Sequence, residues 1–275
     1  MYVWLLSYKN DKLIWRNGMD SAINAAKDLV REAAILLLDS IDESKVVSKT
    51  GTANFVTEVD IKVQEFIVAR LKEILPQSNI IAEETAHQEF FHGAYTWILD
   101  PVDGTTNLMY GYKYSAISLG LLKDGIAHAG IVYNPFIDEM FFAVKGCGAF
   151  VNDQPIKVTR NKKLSDSLIT FGTSPYDRAK ADETFRITKN VFDKCRDIRR
   201  SGSAALDLCN VAAGRMDGFY EMELQPWDYA ASALILQEAG GRISDWYGKP
   251  VDFLNKLPVV ASNGYIHEEL LDELK

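Results

Sequence analysis

The 275-residue chain is poor in cysteine, and its three cysteines, Cys147, Cys195 and Cys209, show no Cys-x-x-Cys spacing. An odd number of widely separated cysteines argues against a disulfide framework and against a structural zinc site. The chain also lacks an apolar run of roughly 18 residues, as a membrane-spanning helix requires, and lacks the cleavage site of a signal peptide. These absences predict a cytoplasmic protein with reduced thiols and no membrane partner.

Basic residues are outnumbered, with 38 aspartates and glutamates against 30 lysines and arginines and a formal net charge of −8. This balance argues against direct binding of nucleic acid. A local group of arginines, Arg196, Arg199 and Arg200, could still hold a small anion, so a small phosphorylated partner is compatible with the charge. The hydrophobic share of 47% allows a large buried core.

The spacing of apolar residues predicts layers of helices and strands. One helical pattern begins near Met19 and ends near Asp39, and a second runs from Thr57 until Pro76 stops it. Strands are predicted over 79–82, 95–99, 115–122, 127–133 and 140–144, the last three forming an antiparallel sheet. The second half alternates strands over 167–171, near 198, and over 218–221, 242–244 and 259–261 with helices over 179–192, 203–213, 228–239 and from Tyr265. The pattern indicates an α+β or α/β layered sandwich.

Residues 1–18 precede the clear helical pattern. We interpret them as an N-terminal extension, with Met19 as an alternative native start. Residues 19–275 are predicted to form a single domain, softly divided near residue 152, because no linker or internal repeat separates the halves.

The segment from Asp100 to Asn107, with the sequence DPVDGTTN, combines two carboxylates with small residues after an apolar run. Asp-Gly and proline favour a plain hairpin turn. The same residues could instead hold a hard cation beside a seat for phosphate. An EF-hand loop is excluded because Val102 and Gly104 would occupy ligand positions, and the other two readings stay open on this segment alone.

Acidic residues lie beside structural breaks at three further places: Asp60, the pair Glu83-Glu84, and Asp228. Each has an ordinary interpretation, since Asp60 and Asp228 could cap helices and the glutamate pair could lie in a solvated loop. Together they favour a site, because Glu83-Glu84 and Asp100 both follow apolar strands, and strand ends are where sites are assembled. Shared carboxylates could hold cations that clamp a phosphoryl group.

Three motifs together resemble the signature of the inositol monophosphatase family. They are Glu83-Glu84, the WILDPVDGTTN segment that contains Asp100, and the WDYAA segment that contains Asp228 and runs on to Gly241. The resemblance extends from about Met19 to Lys275 and implies a layered αβαβα sandwich.

The resemblance also implies roles for individual residues. The first magnesium would be held by Glu83, Asp100 and the carbonyl of Val102, and the second by Asp100, Asp103 and Asp228. Thr105, paired with Asp60, would orient or deprotonate the attacking water, and Glu84 would lie close behind. Further contacts to phosphate and substrate are implied for Gly104, Thr105, Thr106, Gly202, Ser203, Ala204 and Glu221, and Lys49 lies on a loop that helps to place metal and phosphate. Ser203 could equally be only a helix cap.

The function that the resemblance implies is magnesium-dependent hydrolysis of a phosphate monoester, with two or three ions, lithium inhibition and a homodimer. Inositol 1- or 4-monophosphate is the expected substrate. Fructose 1,6-bisphosphate, the 2′-phosphate of NADP(H) and 3′-phosphoadenosine 5′-phosphate are alternatives. A different alternative is a regulatory binding protein of the transcription machinery.

Overall fold

The computed structural model describes residues 2–39, 46–50, 54–84 and 95–275, with the backbone alone at 2–18, 20, 46–50 and 54–57. Its helices are α1 (Tyr2–Asp39), α2 (Glu58–Ile74), α3 (Thr105–Met109), α4 (Ala181–Phe192), α5 (Ala204–Ala212), α6 (Pro226–Glu238) and α7 (His267–Glu273). None of these described helices is long and apolar enough to cross a membrane.

The largest sheet has seven strands in sequence order: β3 (Asn79–Ala82), β4 (Tyr95–Asp103), β5 (Ala116–Lys123), β6 (Ile126–Asn134), β7 (Glu139–Val144), β8 (Ala149–Val151) and β9 (Gln154–Pro155). Strands β3 and β4 are parallel, and all other pairs are antiparallel. The predicted antiparallel run is therefore confirmed as β5 to β7. The hairpin between β5 and β6 turns at Asp124 and Gly125, which both have positive φ, as a type I′ turn requires.

The second sheet has five strands in the order β11 (Asp197–Arg199), β10 (Leu168–Phe171), β12 (Gly218–Leu224), β14 (Leu257–Ser262) and β13 (Arg242–Asp245). A separate hairpin pairs β1 (Val46–Thr50) with β2 (Asn54–Thr57). Lys49 was predicted on a loop, but it lies in β1, because the apolar and β-branched residues of this segment pair across the hairpin. Its side chain lies outside the described residues.

Three buried hydrophobic clusters lie between the alternating layers of helices and sheets. One cluster joins α1 and α2 to one face of the seven-stranded sheet, where Trp97 and Leu99 point. The second joins the other face, where Ile98 points, to α5, α6 and Phe219 of the five-stranded sheet. The third lies between the far face of that sheet, at Tyr220, and α4 with α7. Side chains along β4 and β12 thus alternate between the two faces of each sheet, so that both faces are covered. The predicted αβαβα sandwich is confirmed.

Helix α6 lies against the seven-stranded sheet at two glycines. Gly120 of β5 pairs with Gly130 of β6. A Cβ built at Gly130 would lie 2.3 Å from the carbonyl oxygen of Ala231 in α6, and one at Gly120 would lie 3.2 Å from the Ala231 nitrogen. Only glycine allows this approach, which fixes the height of α6 above the sheet.

Helix α1 differs from its prediction, because it begins at Tyr2 rather than near Met19. Residues 2–18 contain no proline, and Gly18 alone does not end the helix. The interpretation of residues 1–18 as an extension, and the soft division near residue 152, stay predictions.

Candidate active site

The carboxylates converge at one edge of the seven-stranded sheet. Because β3 and β4 are parallel neighbours, Glu83, which follows β3, lies beside Asp100 of β4, and the Glu83 amide donates to the Leu99 carbonyl over 3.2 Å. The interpretation of Asp103-Gly104 as a plain hairpin turn is wrong. Strand β4 continues through Asp103, and its pairing with β5 is irregular between Asp100 and Asp103, a bulge that turns both carboxylates into the site.

Asp228 enters the site from α6. It was interpreted as a possible N-cap, but the helix begins at Pro226 and Asp228 is its third residue. Its carboxylate accepts a 2.7 Å hydrogen bond from the Gln225 amide, which is the third-position role in a capping box. Pro226 favours this earlier start because its fixed φ suits the first helical position.

Asp100, Asp103 and Asp228 each place one carboxylate oxygen within 4.8 Å of the other two. Burial raises the pKa of Asp100 and of Asp228 well above the usual range, and the charges of Glu83 and Asp103 raise both further. Burial also raises the pKa of Asp103, to about 6. No ion pair between described residues includes any of the three. Buried carboxylates without a cation are unfavourable, so the cluster fits a divalent ion that prefers oxygen ligands.

Asp103 is also tied to the N-terminus of α5. One of its oxygens accepts hydrogen bonds from the Ser203 hydroxyl and, over 2.8 Å, from the Ala205 amide. The Ser203 hydroxyl also accepts from the Leu206 amide over 3.3 Å, as a helix cap does. Ser203 therefore caps α5 and lines the cleft at the same time.

Thr105 is the first residue of α3, directly after the aspartate segment. Its hydroxyl lies 3.0 Å from an oxygen of Asp60 and 3.1 Å from the Val102 carbonyl. Asp60 itself is almost fully buried. Gly104 adopts a φ of +91°, and a Cβ there would lie 3.0 Å from the Tyr114 carbonyl. Glycine thus allows the chain to turn sharply and to direct Thr105 at Asp60.

Most of the predicted residues line one open cleft. They are Glu83, Asp100, Val102, Asp103, Gly104, Thr105, Thr106, Gly202, Ser203, Ala204, Glu221 and Asp228. Asp60 reaches the cleft through Thr105. Glu84 is not among the described residues of the cleft wall, and its amide donates to Gln64 over 2.9 Å. The catalytic role of Glu84 stays a prediction.

Glu221 lies in β12 and lines the same cleft. One of its oxygens, Oε1, accepts a 2.7 Å hydrogen bond from the Ser174 amide, and no described protein group donates to Oε2. Burial raises the pKa of Glu221 to about 7, and the Ser174 amide and the charge of Arg200 oppose that rise. Oε2 is therefore placed to accept a hydrogen bond from a ligand.

Gly172 provides the space that the Glu221 carboxylate occupies. A Cβ at this position would lie 1.8 Å from Oε2, so Gly172→Ala must displace the carboxylate. We expect a loss of about 1–3 kcal/mol in the free energy of unfolding, the usual cost of overpacking, together with weaker substrate binding. Urea denaturation and KM measure the two effects. The double variant Gly172→Ala/Glu221→Ala should recover stability but not KM, and a single variant as stable as the unaltered protein would contradict the clash.

The cleft wall also contains residues that the sequence does not identify as site residues, among them Arg200, Tyr176 and Asp207. The sequence places Arg200 only in a local group of arginines. Asp207 accepts a 2.6 Å hydrogen bond from Ser201, and burial raises its pKa to about 7. Asp207 lies in the first turn of α5, where an aspartate is common, so no local pattern distinguishes it from an ordinary helical residue.

Comparison with known proteins agrees with this site. Residues 19–275 match the model of the inositol monophosphatase family. An inositol-1-monophosphatase of Mesorhizobium japonicum is 40% identical over 229 residues, which cover 83% of this chain and 86% of that protein. A putative Nus factor SuhB of Neisseria meningitidis serogroup B is 37% identical over 256 residues, covering 92% and 97%.

Solved structures give the same result. The extragenic suppressor protein suhB from Bartonella henselae superposes with a TM-score of 0.87 at 35% identity, covering 93% of this chain and 98% of that one. Structures of SaIMPase-II bound to inositol monophosphate and to 2′AMP have TM-scores of 0.78 and 0.80 at 28% and 29% identity, each covering 92% of both chains. The chain therefore belongs to the inositol monophosphatase family, whose members are phosphoric monoester hydrolases.

Proposed function

We propose that this phosphatase hydrolyses inositol monophosphate, with the 1-phosphate as its first substrate and the 4-phosphate as a second. The observation that carries the proposal is the buried cluster of Asp100, Asp103 and Asp228 beside the Gly104-Thr105 turn. The M. japonicum relative named inositol-1-monophosphatase and the inositol monophosphate complex of SaIMPase-II support the choice of substrate.

The family depends on magnesium, and the carboxylate cluster fits that ion. In our proposal Glu83, Asp100 and the Val102 carbonyl hold one ion, and Asp100, Asp103 and Asp228 hold a second, with room for a loosely held third. Bound magnesium supplies charge stabilisation for the transferring phosphoryl group and makes water a usable nucleophile near neutral pH.

The proton of the attacking water passes to the pair Thr105 and Asp60. The Thr105 hydroxyl donates to Asp60 over 3.0 Å, which leaves its oxygen free to accept from the water. Thr105 can thus take the water proton while its own proton moves to the Asp60 carboxylate. The amides of Gly104 and Thr105 bind phosphate oxygens, because the first amides of a helix have no partner within it.

The alcohol end of the substrate lies toward Glu221 and the start of α5. Glu221 Oε2 accepts a hydroxyl hydrogen bond, and the small residues Gly202, Ser203 and Ala204 allow a polyol ring to approach the backbone. A polyol with several hydroxyls fits a wall that is rich in acceptors.

The experiment that tests the substrate is a comparison of kcat/KM at saturating magnesium. The panel contains inositol 1-phosphate, inositol 4-phosphate, fructose 1,6-bisphosphate, NADP, 3′-phosphoadenosine 5′-phosphate and 2′-AMP. We expect inositol 1-phosphate to exceed each alternative by about tenfold or more, which corresponds to about 1.4 kcal/mol of transition-state binding. A higher kcat/KM for a nucleotide or for fructose bisphosphate would contradict the proposed substrate.

Two relatives favour second candidates. The 2′AMP complex of SaIMPase-II favours a nucleotide 2′-phosphate as a further substrate. The relative named putative Nus factor SuhB favours a regulatory role in transcription beside catalysis. A homodimer and a cytoplasmic location are part of the proposal, as the family resemblance and the composition imply.

A further inference from the structure

Residues 172–180, which we call the Tyr176 loop, contribute to the wall of the cleft that holds the carboxylate cluster. The lining residues of this loop are Gly172, Ser174, Pro175, Tyr176 and Asp177. The loop follows β10 and ends in a short 3-10 helix over Arg178–Lys180. Two glutamates of β12, Glu221 and Glu223, contact it on either side of Tyr176. A loop held at two points on one strand has a defined position relative to the site.

The first contact holds a strained residue. Ser174 has a φ of +42°, which non-glycine residues rarely adopt, and it precedes Pro175, which restricts its backbone further. The Ser174 amide donates to Glu221 Oε1 over 2.7 Å, and the Ser174 hydroxyl lies 3.4 Å from the same oxygen. Glu221 therefore stabilises a backbone turn that the sequence would not adopt alone.

The second contact is an ionic one beyond Tyr176. Lys180 at the end of the loop lies 2.5 Å from Glu223 and 3.2 Å from Asp177. Lys256 approaches Glu223 over 3.1 Å from a different segment. Asp177 also accepts a hydrogen bond from the Ala179 amide over 3.1 Å. The loop on the far side of Tyr176 is thus fixed to the same strand.

Tyr176 lies between these contacts and lines the cleft. Tyr176 is 63% exposed to solvent, so its ring is available for contact with a ligand. Tyr176 therefore shares one cleft with Glu83, Asp100, Asp103 and Asp228, and its exposed ring is available to the alcohol of a phosphate monoester bound there.

We propose that Tyr176 is a specificity-determining residue, whose ring packs against the cyclic alcohol of the substrate, and that Glu221 and Glu223 hold it in position. This inference rests on the proposed function, since it assumes a phosphate monoester of a ring alcohol. An aromatic face offers a large, rigid contact to the apolar face of a ring. An acyclic alcohol cannot fill that contact, so the ring selects between substrates that share the same phosphate.

The test compares Tyr176→Ala with the unaltered enzyme on inositol 1-phosphate and on the acyclic glycerol 2-phosphate. We expect KM for inositol 1-phosphate to rise by about 5- to 10-fold, within the range for one aromatic contact, with kcat changed less than about twofold. KM for glycerol 2-phosphate should change less than about twofold. Tyr176→Phe, which keeps the ring, should behave as the unaltered enzyme.

Two further variants separate position from contact. Glu223→Gln weakens the second contact and should shift the ratio of the two KM values in the same direction as Tyr176→Ala, by a smaller factor. Tyr247→Ala removes a tyrosine that is 83% exposed and lies outside the cleft wall, and should leave both KM values unchanged.

An equal change for both substrates in Tyr176→Ala, or no change for either, would overturn the inference. An unaltered enzyme that does not hydrolyse inositol 1-phosphate would instead contradict the proposed function. In that case the best cyclic substrate of the panel replaces inositol 1-phosphate, and the comparison with glycerol 2-phosphate tests Tyr176 as before.

Discussion

Replacing Asp100 by asparagine should lower kcat for inositol 1-phosphate by about 10³-fold or more at saturating magnesium. The side chain lies beside Asp103 and Asp228 and is affected by the charge of Glu83, so its loss affects both proposed magnesium ions. Charge stabilisation by a metal ion is worth several kcal/mol in the transition state, which corresponds to this factor. Steady-state kinetics across a magnesium titration measures the loss.

A second measurement on Asp100→Asn separates chemistry from folding. Without magnesium, the variant should have a higher free energy of unfolding than the unaltered protein, because burial and neighbouring charges oppose ionisation of Asp100. Asp124→Asn is the matched control, since Asp124 lies exposed in the β5–β6 turn with positive φ, a conformation that asparagine adopts readily. Retention of more than a tenth of the activity in Asp100→Asn would refute the assigned site.

Protein treated with EDTA should become less stable, relative to the magnesium-bound protein, as the pH rises from 5 to 8. Burial raises the pKa of Asp103 from 3.8 to about 6 in the folded state, and the pKa values of Asp100 and Asp228 are raised as well. Because the pKa of Asp103 is higher in the folded state than in the unfolded state, this residue stabilises the fold fully below pH 4. Its contribution to the free energy of unfolding is lost as the pH rises past about 6. For Asp103 the loss is about 3 kcal/mol.

Bound magnesium requires the ionised carboxylates and becomes more favourable over the same range. Urea denaturation at several pH values, with magnesium and with EDTA, measures the gap between the two free energies of unfolding. We expect the gap to widen through pH 6. Asp103→Asn should reduce the widening, because the residue that titrates there is absent. A gap that stays constant between pH 5 and 8 would show that these carboxylates do not bind the ion.

The sequence predicted the parts of the site that follow from strand ends. Glu83 and Asp100 come directly after apolar runs, and parallel pairing of β3 with β4 brings them together. The apolar run that ends in Trp97, Ile98 and Leu99 predicted a strand, and the structure buries all three side chains. These predictions depend on local patterns that the sequence displays.

The remaining parts depend on contacts between distant segments. The Asp-Gly signal left a hairpin turn and a functional site as open alternatives, and pairing with β5 through a bulge determines the path of β4. Asp228 is the third residue of α6 and not its N-cap, because Gln225 takes the cap position and Pro226 begins the helix. The apolar period of the sequence does not resolve a difference of a few residues. Tyr176 owes its place to glutamates more than 40 residues later, Glu221 and Glu223. No spacing rule within the loop predicts such a contact.

At Gly120 and Gly130 the backbone of helix α6 approaches the backbone of the sheet directly. The closest approach of α6 to the sheet at these two positions therefore does not depend on side-chain rotamers. Asp228 at the start of α6 and Asp100 in β4 keep their separation when nearby core side chains are exchanged for others of similar volume. Substitutions in the surrounding core therefore leave the spacing of Asp100 and Asp228 intact. Substitutions at Gly120 or Gly130 would move α6 and change that spacing.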